Sequence, residues 1–306
     1  MVKVALACLG DLALDIVVRG SAPADLGTDV AATVRFRAGG SAANAARAFA
    51  ALGGRAIFIG ALGDDEVGRR LTAFMRSAGV TVHAPRVRGF SPRLVVSVSA
   101  SGERSFLTDR GVADSLTPGM IRGSWLSRAD ALHVPFYSFV NEPLSSAAQS
   151  AISAAHSRSL ISIDLASRGP LAKLGRRRVR DILVATVPDV LFANEDELAA
   201  IGAPSSAELI TLAPISVIKR GPSGCRVVWR TNDGSAGQAL VATRRVDASD
   251  TTGAGDAFDA GFLHALLQGG YRPAMNIDAA LLRRAALAGH RSAASLLTSV
   301  PNELSL

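Results

Sequence analysis

The sequence has little of what a disulfide scaffold or a nucleic-acid binding surface requires. It holds only two cysteines, Cys8 and Cys225, in 306 residues, and neither has a neighbouring Cys or His at ligand spacing. Both lie in apolar, strand-like stretches, so we expect two buried, reduced thiols and a reducing compartment. Aromatic residues make up 5% of the chain, which leaves few rings for stacking bases.

Long apolar runs are also lacking. None approaches the roughly 18 residues of a membrane span. The first nine residues are apolar but short, without the basic start and longer apolar region of a secretory signal. We therefore expect them to form the first strand of a cytoplasmic protein.

The net charge is +7, but its distribution argues against a nucleic-acid partner. The arginines are scattered, and the single cluster, residues 176–178 with Arg180, is typical of a solvated helix face. A positive field that attracts an anionic nucleotide is the interpretation that fits the motifs below. We expect neither nucleic acid nor membrane as a partner.

Short apolar segments alternate with helical patterns along most of the chain, which predicts parallel βαβ units. The predicted strands of this body cover residues 2–9, 56–62, 131–134, 160–164, 190–193 and 215–219. The predicted helices cover residues 42–52, 66–78 and 145–157, with another beginning at residue 196.

Two early groups of short strands do not follow this rhythm. The first comprises residues 15–19 and 30–37, joined by the stretch 21–27. The second is a hairpin over residues 93–109 with its turn at 101–103. We expect these groups to form a small sheet separate from the α/β body.

Residues 250–258, Asp-Thr-Thr-Gly-Ala-Gly-Asp-Ala-Phe, are the most informative stretch. Gly253, Ala254 and Gly255 let the backbone approach a ligand closely, and the helix after them directs its free N–H groups at the same point. Such a turn can hold a phosphoryl group and the charge that develops on it. Asp256, in the first helical turn, can accept the proton of an attacking hydroxyl. The alternative is a plain turn whose Asp caps the helix.

Two common nucleotide motifs are missing. The dinucleotide fingerprint lacks its third glycine, because Phe258 stands there. No Gly-x-x-x-x-Gly-Lys-Ser/Thr loop occurs, and the chain has only three lysines, Lys3, Lys173 and Lys219. A P-loop enzyme is therefore not expected.

The stretch 250–258 strongly resembles the C-terminal signature of the ribokinase-like (PfkB-type) carbohydrate kinase family. Residues 39–44, Gly-Gly-Ser-Ala-Ala-Asn, followed by residues 60–65 and Gly68, resemble its N-terminal signature. Residues 194–197, Asn-Glu-Asp-Glu, match its Asn-x-x-Glu motif. The three motifs occur in the family's order and spacing.

The resemblance spans about residues 3–295 and implies a fold. It predicts a single kinase domain over residues 1–306, with a three-layer α/β/α body around a mostly parallel central sheet. The two early strand groups, about 12–37 and 90–110, would form the small β-sheet lid of the sugar-kinase members.

The resemblance also implies a substrate side. Gly39, Gly40 and Asn44 occupy the positions that touch substrate hydroxyls, and an amide suits a diol because it both donates and accepts. The same role is implied for Asp15, with Asp11 beside it. The chain departs from ribokinases proper, which carry Asn and Lys at two further positions. They are occupied here by Ala13 and Ser41. Arg110 lies where the second strand group returns to the body, near the expected cleft.

On the nucleotide side, Asn194 and Glu197 resemble the pair that organises Mg²⁺ and the phosphates, largely through water. A helix start with acidic residues in its first turn has the same pattern. Residues 219–224 resemble the family's nucleotide-side turn, although Arg220 replaces a small residue. The residues implied there are Lys219, Gly221, Ser223 and Gly224.

Three further positions complete the expected nucleotide side. Thr252 belongs to the C-terminal signature. His290 lies in the C-terminal helical region, where it faces either the adenine or solvent. Asp250 corresponds to a monovalent-cation loop in the potassium-activated members, a trait that varies across the family.

The sequence thus predicts a cytoplasmic, ATP- and Mg²⁺-dependent kinase that phosphorylates a hydroxyl of a sugar, with K⁺ as a further cofactor in the potassium-activated case. One alternative is a nucleoside kinase of the same fold, with rings to stack on a base. The candidate rings are Phe36, Phe90, Phe106, Phe136 and Tyr137. The other alternative, a non-catalytic sugar sensor, has no need of Asp256. Relatives that dimerise through the lid imply a homodimer.

Overall fold

A computed structural model describes residues 3–20, 29–98, 104–203, 205–248, 250–299 and 303–304. Its strands are Ala5–Leu9 (β1), Ala13–Gly20 (β2), Ala32–Gly39 (β3), Arg55–Ile59 (β4), Leu62–Gly63 (β5), Val80–His83 (β6), Arg86–Val87 (β7), Arg93–Val98 (β8), Arg104–Asp109 (β9), Ala131–Pro135 (β10), Leu160–Asp164 (β11), Val190–Asn194 (β12), Ile215–Lys219 (β13), Cys225–Arg230 (β14) and Ala236–Val241 (β15). Its helices are Ser41–Ala51 (α1), Glu66–Ser77 (α2), Gly123–Leu126 (α3), Leu144–Ala155 (α4), Arg168–Leu174 (α5), Arg176–Thr186 (α6), Glu195–Ile201 (α7), Ser206–Leu212 (α8), Ala254–Gln268 (α9) and Ala279–Thr298 (α10).

The larger sheet has nine strands in the order β15-β14-β13-β12-β11-β10-β1-β4-β6. The pairs from β13 to β6 are parallel. Strands in such a sheet are covered on both faces, which is why β1, β10 and β11 are continuous buried runs rather than alternating ones. The predicted parallel βαβ body is confirmed. The antiparallel pair β14 and β15 extends it at one edge and was not predicted in detail.

Two hydrophobic cores, one on each face of the sheet, give three layers. One core joins the sheet to α1, α2, α9 and α10 and contains Phe49, Phe192 and Phe262. The other joins the sheet to α4, α6, α7 and α8 and contains Ile163 and Leu183. Both cysteines are buried as free thiols, as expected.

The smaller sheet has four strands in the order β3-β2-β8-β9. Strands β2 and β3 are antiparallel, β8 joins β2 in parallel, and β8 and β9 form the predicted hairpin. The prediction of a separate small sheet is confirmed. The predicted joining stretch 21–27 and the hairpin turn 101–103 lie outside the described residues.

The side chain of Asp65 connects the body to this small sheet. Its Oδ1 caps α2 by accepting from the Gly68 N–H at 2.8 Å, and its Oδ2 accepts from the Ser91 N–H at 2.9 Å, just before β8. A Cβ on Gly68 would lie 2.6 Å from the Ser91 hydroxyl, so only glycine fits there. Burial alone would raise the pKa of Asp65, but the hydrogen bonds from Ser91 and Gly68 outweigh it and lower the pKa.

The arginine cluster lies on the surface of the α/β body. Residues 176–178 are exposed at the start of α6, as predicted for a solvated helix face. Among the described residues, no helix is both long and apolar enough to cross a membrane.

Candidate active site

The candidate site forms where the carboxyl ends of the parallel strands meet. Strand β1 leads into Gly10 and Asp11, while β11, β12 and β13 end at Asp164, Asn194 and Lys219. Strand ends at one edge of a parallel sheet are the usual ligand position in α/β folds. The N-terminus of α9 lies at the same edge, where the Asp164 and Lys219 charges act on Asp256.

The glycine turn before α9 has the geometry that its sequence predicts. Gly253 is the N-cap residue with φ of 78°, in the left-handed region that favours glycine, and has no side-chain cap. A Cβ on Gly253 would lie 3.4 Å from the Asn44 amide nitrogen, and one on Gly255 would lie 3.4 Å from Lys219 Nζ. The backbone conformation therefore favours glycine at position 253, and the N–H groups at the start of a helix are suited to bind an anion.

Asp256 is buried in the first turn of α9. The Asn44 amide Nδ2 donates to its Oδ2 at 2.9 Å. Burial raises the pKa of Asp256 to about 7, and the nearby Asp164 and Asp11 carboxylates add to this, while Asn44 and Lys219 oppose it. The carboxyl group thus changes charge near neutral pH, where a general base functions best.

The predicted hydroxyl-binding residues surround this carboxyl. Gly39 ends β3 and Gly40, with φ of 99°, begins α1. A Cβ on Gly39 would lie 2.2 Å from the Asp15 carboxylate, and one on Gly40 would lie 2.4 Å from the Asp11 carbonyl oxygen. At Gly40 glycine is required because the Asp11 backbone passes closely, whereas at Gly39 a Cβ would meet the Asp15 side chain. The chain then enters α1, which carries Asn44 to Asp256.

Asp11 and Asp15 have oxygen atoms that point into the protein without a hydrogen-bond partner. In the part of the chain that the structure describes, Oδ1 of each is buried and unpaired. Burial and the neighbouring Asp11 charge raise the pKa of Asp15 to about 7, although Arg37 opposes this. Buried carboxyl oxygens usually have a hydrogen-bond partner, so both carboxyl groups have unused capacity to accept a hydrogen bond.

Arg110 is near the site as predicted, but it already has acidic partners. Its guanidinium donates to both oxygens of Asp114 at 2.6–2.9 Å and lies 3.5 Å from Asp11 Oδ2. The ring of Tyr137 lies in the same region, because its pKa, raised mainly by burial, is also affected by the Asp11 and Asp256 charges. The sequence identifies Tyr137 only as a candidate stacking ring, not as a site residue.

The Lys219 side chain is directed under the glycine turn rather than toward the turn at residues 220–224. Its Nζ lies 3.0 Å from Asp164 Oδ1 and 3.1 Å from Asp259 Oδ2. Sequence reasoning missed both carboxylates. The signals were an Asp directly after a buried strand and a second Asp three residues after Asp256, on the same side of the helix. The predicted contact of Lys219 with a nucleotide stays a prediction.

Asn194 and Glu197 form a capping box at the start of α7. The Asn194 Oδ1 accepts from the Glu197 N–H at 2.9 Å, and Glu197 Oε2 accepts from the Asn194 N–H at 2.8 Å. Burial and the Asp164 charge raise the pKa of Glu197 to about 7, while Lys219 opposes this. The helix-start alternative is thus present in the structure, and a role toward magnesium stays a prediction.

The turn after β13 is closed by backbone hydrogen bonds. The Arg220 N–H donates to the Gly224 carbonyl at 2.9 Å, and the Ser223 N–H donates to the Arg220 carbonyl. Gly221 and Gly224 both have positive φ, and a Cβ on Gly224 would lie 2.2 Å from the Val241 carbonyl oxygen. The Arg220 side chain pairs with Glu195 at 3.0 Å, which turns it away from the turn backbone toward α7.

His290 is half-buried in α10 rather than fully at the surface. Its Nε2 lies 3.2 Å from the Val241 carbonyl oxygen and its ring packs edge-on against Phe258. The contact ties α10 to β15, the strand beside the 221–224 turn. Contact with an adenine ring stays a prediction.

Asp250 lies beside the small sheet and has a cation partner from the protein. Arg37 Nη1 on β3 donates to its Oδ2 at 2.6 Å, and its Oδ1 accepts from the Thr252 N–H at 2.9 Å. The carboxylate therefore braces the start of the glycine turn. A monovalent cation at Asp250 stays a prediction.

A cavity of about 1430 Å³ borders the site between the small sheet and helices α1, α9 and α10. Asp15, Asn44, Thr252 and Gly253 are in its wall. Among the described residues, no group of three or more His, Cys, Asp or Glu side chains could hold a metal ion.

The sequence is similar to that of known carbohydrate kinases. The profile of the pfkB family carbohydrate kinases matches residues 5–300. A probable fructokinase from Arabidopsis thaliana is 29% identical over 276 residues, 85% of this chain and 78% of that protein. An ATP-dependent ribose-1-phosphate kinase from Halopiger xanaduensis is 32% identical over 246 residues, 77% of this chain and 75% of that protein. The structure of a fructokinase with bound ATP from Xylella fastidiosa superposes with a TM-score of 0.81 at 22% identity, over 98% of this chain and 94% of that one.

We predict that Asp256→Asn stabilises the fold, and more so as the pH rises from 4 to 8. The native state holds the Asp256 proton more tightly than the unfolded chain, whose aspartates ionise near pH 4, so ionisation costs folding free energy in this window. An amide avoids that cost. Urea titrations at several pH values measure the difference in the free energy of unfolding.

The matched control is Asp65→Asn, the same chemical change where the pKa is lowered rather than raised. It should lose stability at pH 8, because the ionised carboxylate is the form that Ser91 and Gly68 bind. A variant of Asp256 that gains no stability at pH 8 would show that burial does not control this carboxyl group.

Proposed function

The chain belongs to the pfkB family of carbohydrate kinases, enzymes that transfer a phosphoryl group to an alcohol, and on that premise we propose the following reaction. The γ-phosphoryl group of ATP passes to a hydroxyl of an unphosphorylated sugar, with Asp256 as the base. The observation that carries the proposal is the hydrogen bond from Asn44 to Asp256. It joins a residue suited to hold a sugar diol to the group that accepts a proton, next to an anion-binding turn.

The proposed reaction uses the acceptor hydroxyl, the terminal phosphoryl group of ATP and the Asp256 carboxylate. A sugar hydroxyl held by Asp15 and Asn44 attacks the terminal phosphorus, a new O–P bond forms, and the bond from that phosphorus to the bridging oxygen breaks. The hydroxyl proton passes to Asp256, and the charge on the transferred group is stabilised by the N–H groups after Gly253. ADP leaves with the bridging oxygen.

The nucleotide side supports ATP with a divalent metal. The turn 221–224 and the glycine turn both present backbone without bulky side chains, as close contact with phosphates requires. We propose that Asn194 and Glu197 hold Mg²⁺ through water, where the ion would neutralise phosphate charge. Thr252, Ser223 and His290 are assigned to the same side. The Arg37 guanidinium already supplies a positive charge to Asp250, so we include no potassium ion in the reaction.

Charge in the acceptor region favours an uncharged substrate. Asp11, Asp15 and Asp256 line this region, and two cations beside them are already paired: Arg110 with Asp114 and Arg37 with Asp250. A phosphate ester would bring negative charge against these carboxylates. Although one relative is named as a ribose-1-phosphate kinase, the geometry here supports a neutral sugar.

The stacking rings of a nucleoside kinase have less support. Phe136 is fully buried in the core, and Phe36 lies on the face of the small sheet opposite to Asp15. Phe90 is 63% exposed, and the Arg93 guanidinium lies 4.7 Å from its ring centroid. Tyr137 is close enough to Asp256 for that charge to raise its pKa, and a single ring also suits a sugar face.

We propose that the small sheet is a lid and that the cell compartment is the cytoplasm. Asp15 points from β2 into the cavity, so closure of the lid would enclose the acceptor and exclude water. The two buried free thiols support a reducing compartment.

The outward face of the lid supports a homodimer. By strand alternation, Ile16, Phe36, Val95 and Leu107 lie opposite to Asp15, and Leu107 is 73% exposed. A second copy is the occupant we propose, because a two-fold contact covers the same apolar face on both chains.

The first prediction concerns the substrate. In a coupled ADP-release assay with fructose, ribose, a deoxy-keto acid, adenosine, ribose 1-phosphate and fructose 6-phosphate, a neutral sugar should give the highest kcat/KM. It should exceed its own phosphate ester by about 10²-fold, the size expected for a like-charge contact. A higher value with a phosphate ester would refute the neutral-substrate proposal, and adenosine as the best acceptor would assign the chain to the nucleoside alternative.

The second prediction concerns the base. Asp256→Asn should keep ATP binding and lose about 10²–10⁴ in kcat, as expected when a general base is removed. The parent enzyme should lose kcat/KM as the pH falls below about 7, where Asp256 takes up its proton. If Asp256→Asn turns over within about threefold of the parent, Asp256 is not the base and the mechanism is wrong.

The third prediction concerns assembly. Leu107→Glu places a charge in the proposed contact and should convert a dimer to a monomer in sedimentation velocity runs. Leu240→Glu, at an exposed leucine on β15 of the large sheet, is the matched control and should not change the mass. A parent protein that sediments as a monomer at all concentrations would contradict the homodimer.

A further inference from the structure

A buried cluster of charges lies directly beneath the glycine turn. Lys219 Nζ contacts Asp164 Oδ1 at 3.0 Å and the two oxygens of Asp259 at 3.2 and 3.1 Å. The Asp259 side chain is fully buried and that of Asp164 is 4% exposed. The same ammonium lies 3.4 Å from the position that a Cβ on Gly255 would take.

The cluster links three elements that carry no other connection of this kind among the described ion pairs. Asp164 ends β11, Lys219 ends β13, and Asp259 lies one turn along α9 from Asp256. Three oxygen contacts fix the ammonium in space, and the ammonium in turn fixes Asp259 and the helix turn above it. The Lys219 side chain therefore joins the catalytic turn to the ends of two strands of the sheet.

We propose that Lys219, with Asp164 and Asp259, is a positioning residue that holds the first turn of α9 and the Asp256 carboxylate in place for proton acceptance. The inference rests on the proposed function and deepens it. It also reassigns Lys219, because an ammonium held by two carboxylates under the turn is not available to a nucleotide beside the turn.

Stability alone does not account for such a cluster. Taking three ionisable groups out of water is costly, and well-packed apolar side chains of similar volume often stabilise a core as well or better. What buried charges provide instead is a defined geometry, because each hydrogen bond has a narrow range of length and angle. Phosphoryl transfer depends on such placement.

Ionisable and polar side chains from every element around Asp256 interact with it. The groups that interact with it are Cys8, Asp11 and Asp15 near β1 and β2, Asn44 on α1, Tyr137 after β10, Asp164 on β11, Lys219 on β13 and Asp259 on its own helix. Lys219 lowers the pKa of Asp256 and Asp164 raises it. Burial and the Asp164 charge raise the pKa of Asp259, while Lys219 opposes this.

The opposite signs of Lys219 and Asp164 give the test. In protein labelled with ¹³C-carboxyl aspartate, the Asp256 signal is identified by its loss in Asp256→Asn, and its titration midpoint is measured in each variant. Lys219→Met should move the midpoint up by about one pH unit, and Asp164→Asn should move it down by about one, the size typical for a charge within a few ångströms. Lys219→Arg should restore the midpoint, because it keeps the charge. The control is Lys3→Met, at an exposed lysine, and should not shift it.

Kinetics separate positioning from nucleotide binding. Lys219→Met should lower kcat by about 10²-fold with KM for ATP within about threefold, as for a misplaced catalytic group. A rise in KM for ATP with kcat unchanged would instead make Lys219 a nucleotide ligand and overturn the inference.

The inference can still be tested if one variant does not fold or if the parent is inactive. Lys219→Met leaves Asp164 uncompensated, and the charge-balanced pair Lys219→Met with Asp164→Asn is the substitute, whose midpoint should lie between those of the single variants. Midpoints that do not move in opposite directions refute the inference whether or not a sugar is phosphorylated. Midpoints that move as expected in an inactive protein support the geometry and reject the proposed function alone.

Discussion

The crossing of backbone at Gly39 and Gly40 is the constraint on which the site depends. A Cβ on Gly40 would lie 2.4 Å from the Asp11 carbonyl oxygen, and one on Gly39 would overlap the Asp15 carboxylate. Because α1 begins immediately afterwards, the crossing fixes where Asn44 projects, and Asn44 reaches Asp256 at 2.9 Å. Each later feature of the acceptor side follows from this contact between the small sheet, α1 and α9. A larger side chain at either glycine would separate them.

Local signals in the sequence are sufficient for the parts of the site that lie in one segment. The glycine turn, its following helix and Asp256 are contiguous, and their roles follow from backbone geometry and helix dipoles alone. The alternating strands of the small sheet are visible for the same reason. The strands β10, β11 and β12 identify the parallel body, because a strand covered on both faces has a continuous apolar sequence.

What the sequence could not provide is pairing across long separations. Lys219 and Asp164 are 55 residues apart, and Lys219 and Asp259 are 40 apart, so no spacing rule joins them. The same holds for Arg37 and Asp250, which are 213 residues apart. These contacts determine which cations are already neutralised, and therefore which charges a substrate meets. The antiparallel edge strands β14 and β15 were not predicted in detail, because a half-exposed strand has a less distinctive sequence than a fully buried parallel strand.

The direct connection of β3 to α1 couples the position of the small sheet to that of the Asn44 amide. Gly39 is the last residue of β3 and Asn44 lies in the first turn of the helix that follows, so any tilt of the small sheet displaces the amide that touches the base. If the small sheet closes as proposed, covering the acceptor and holding the Asn44 amide on the base are one movement. A sugar that holds the sheet down then also holds that amide in place. Chain connectivity alone provides this coupling between acceptor binding and the base.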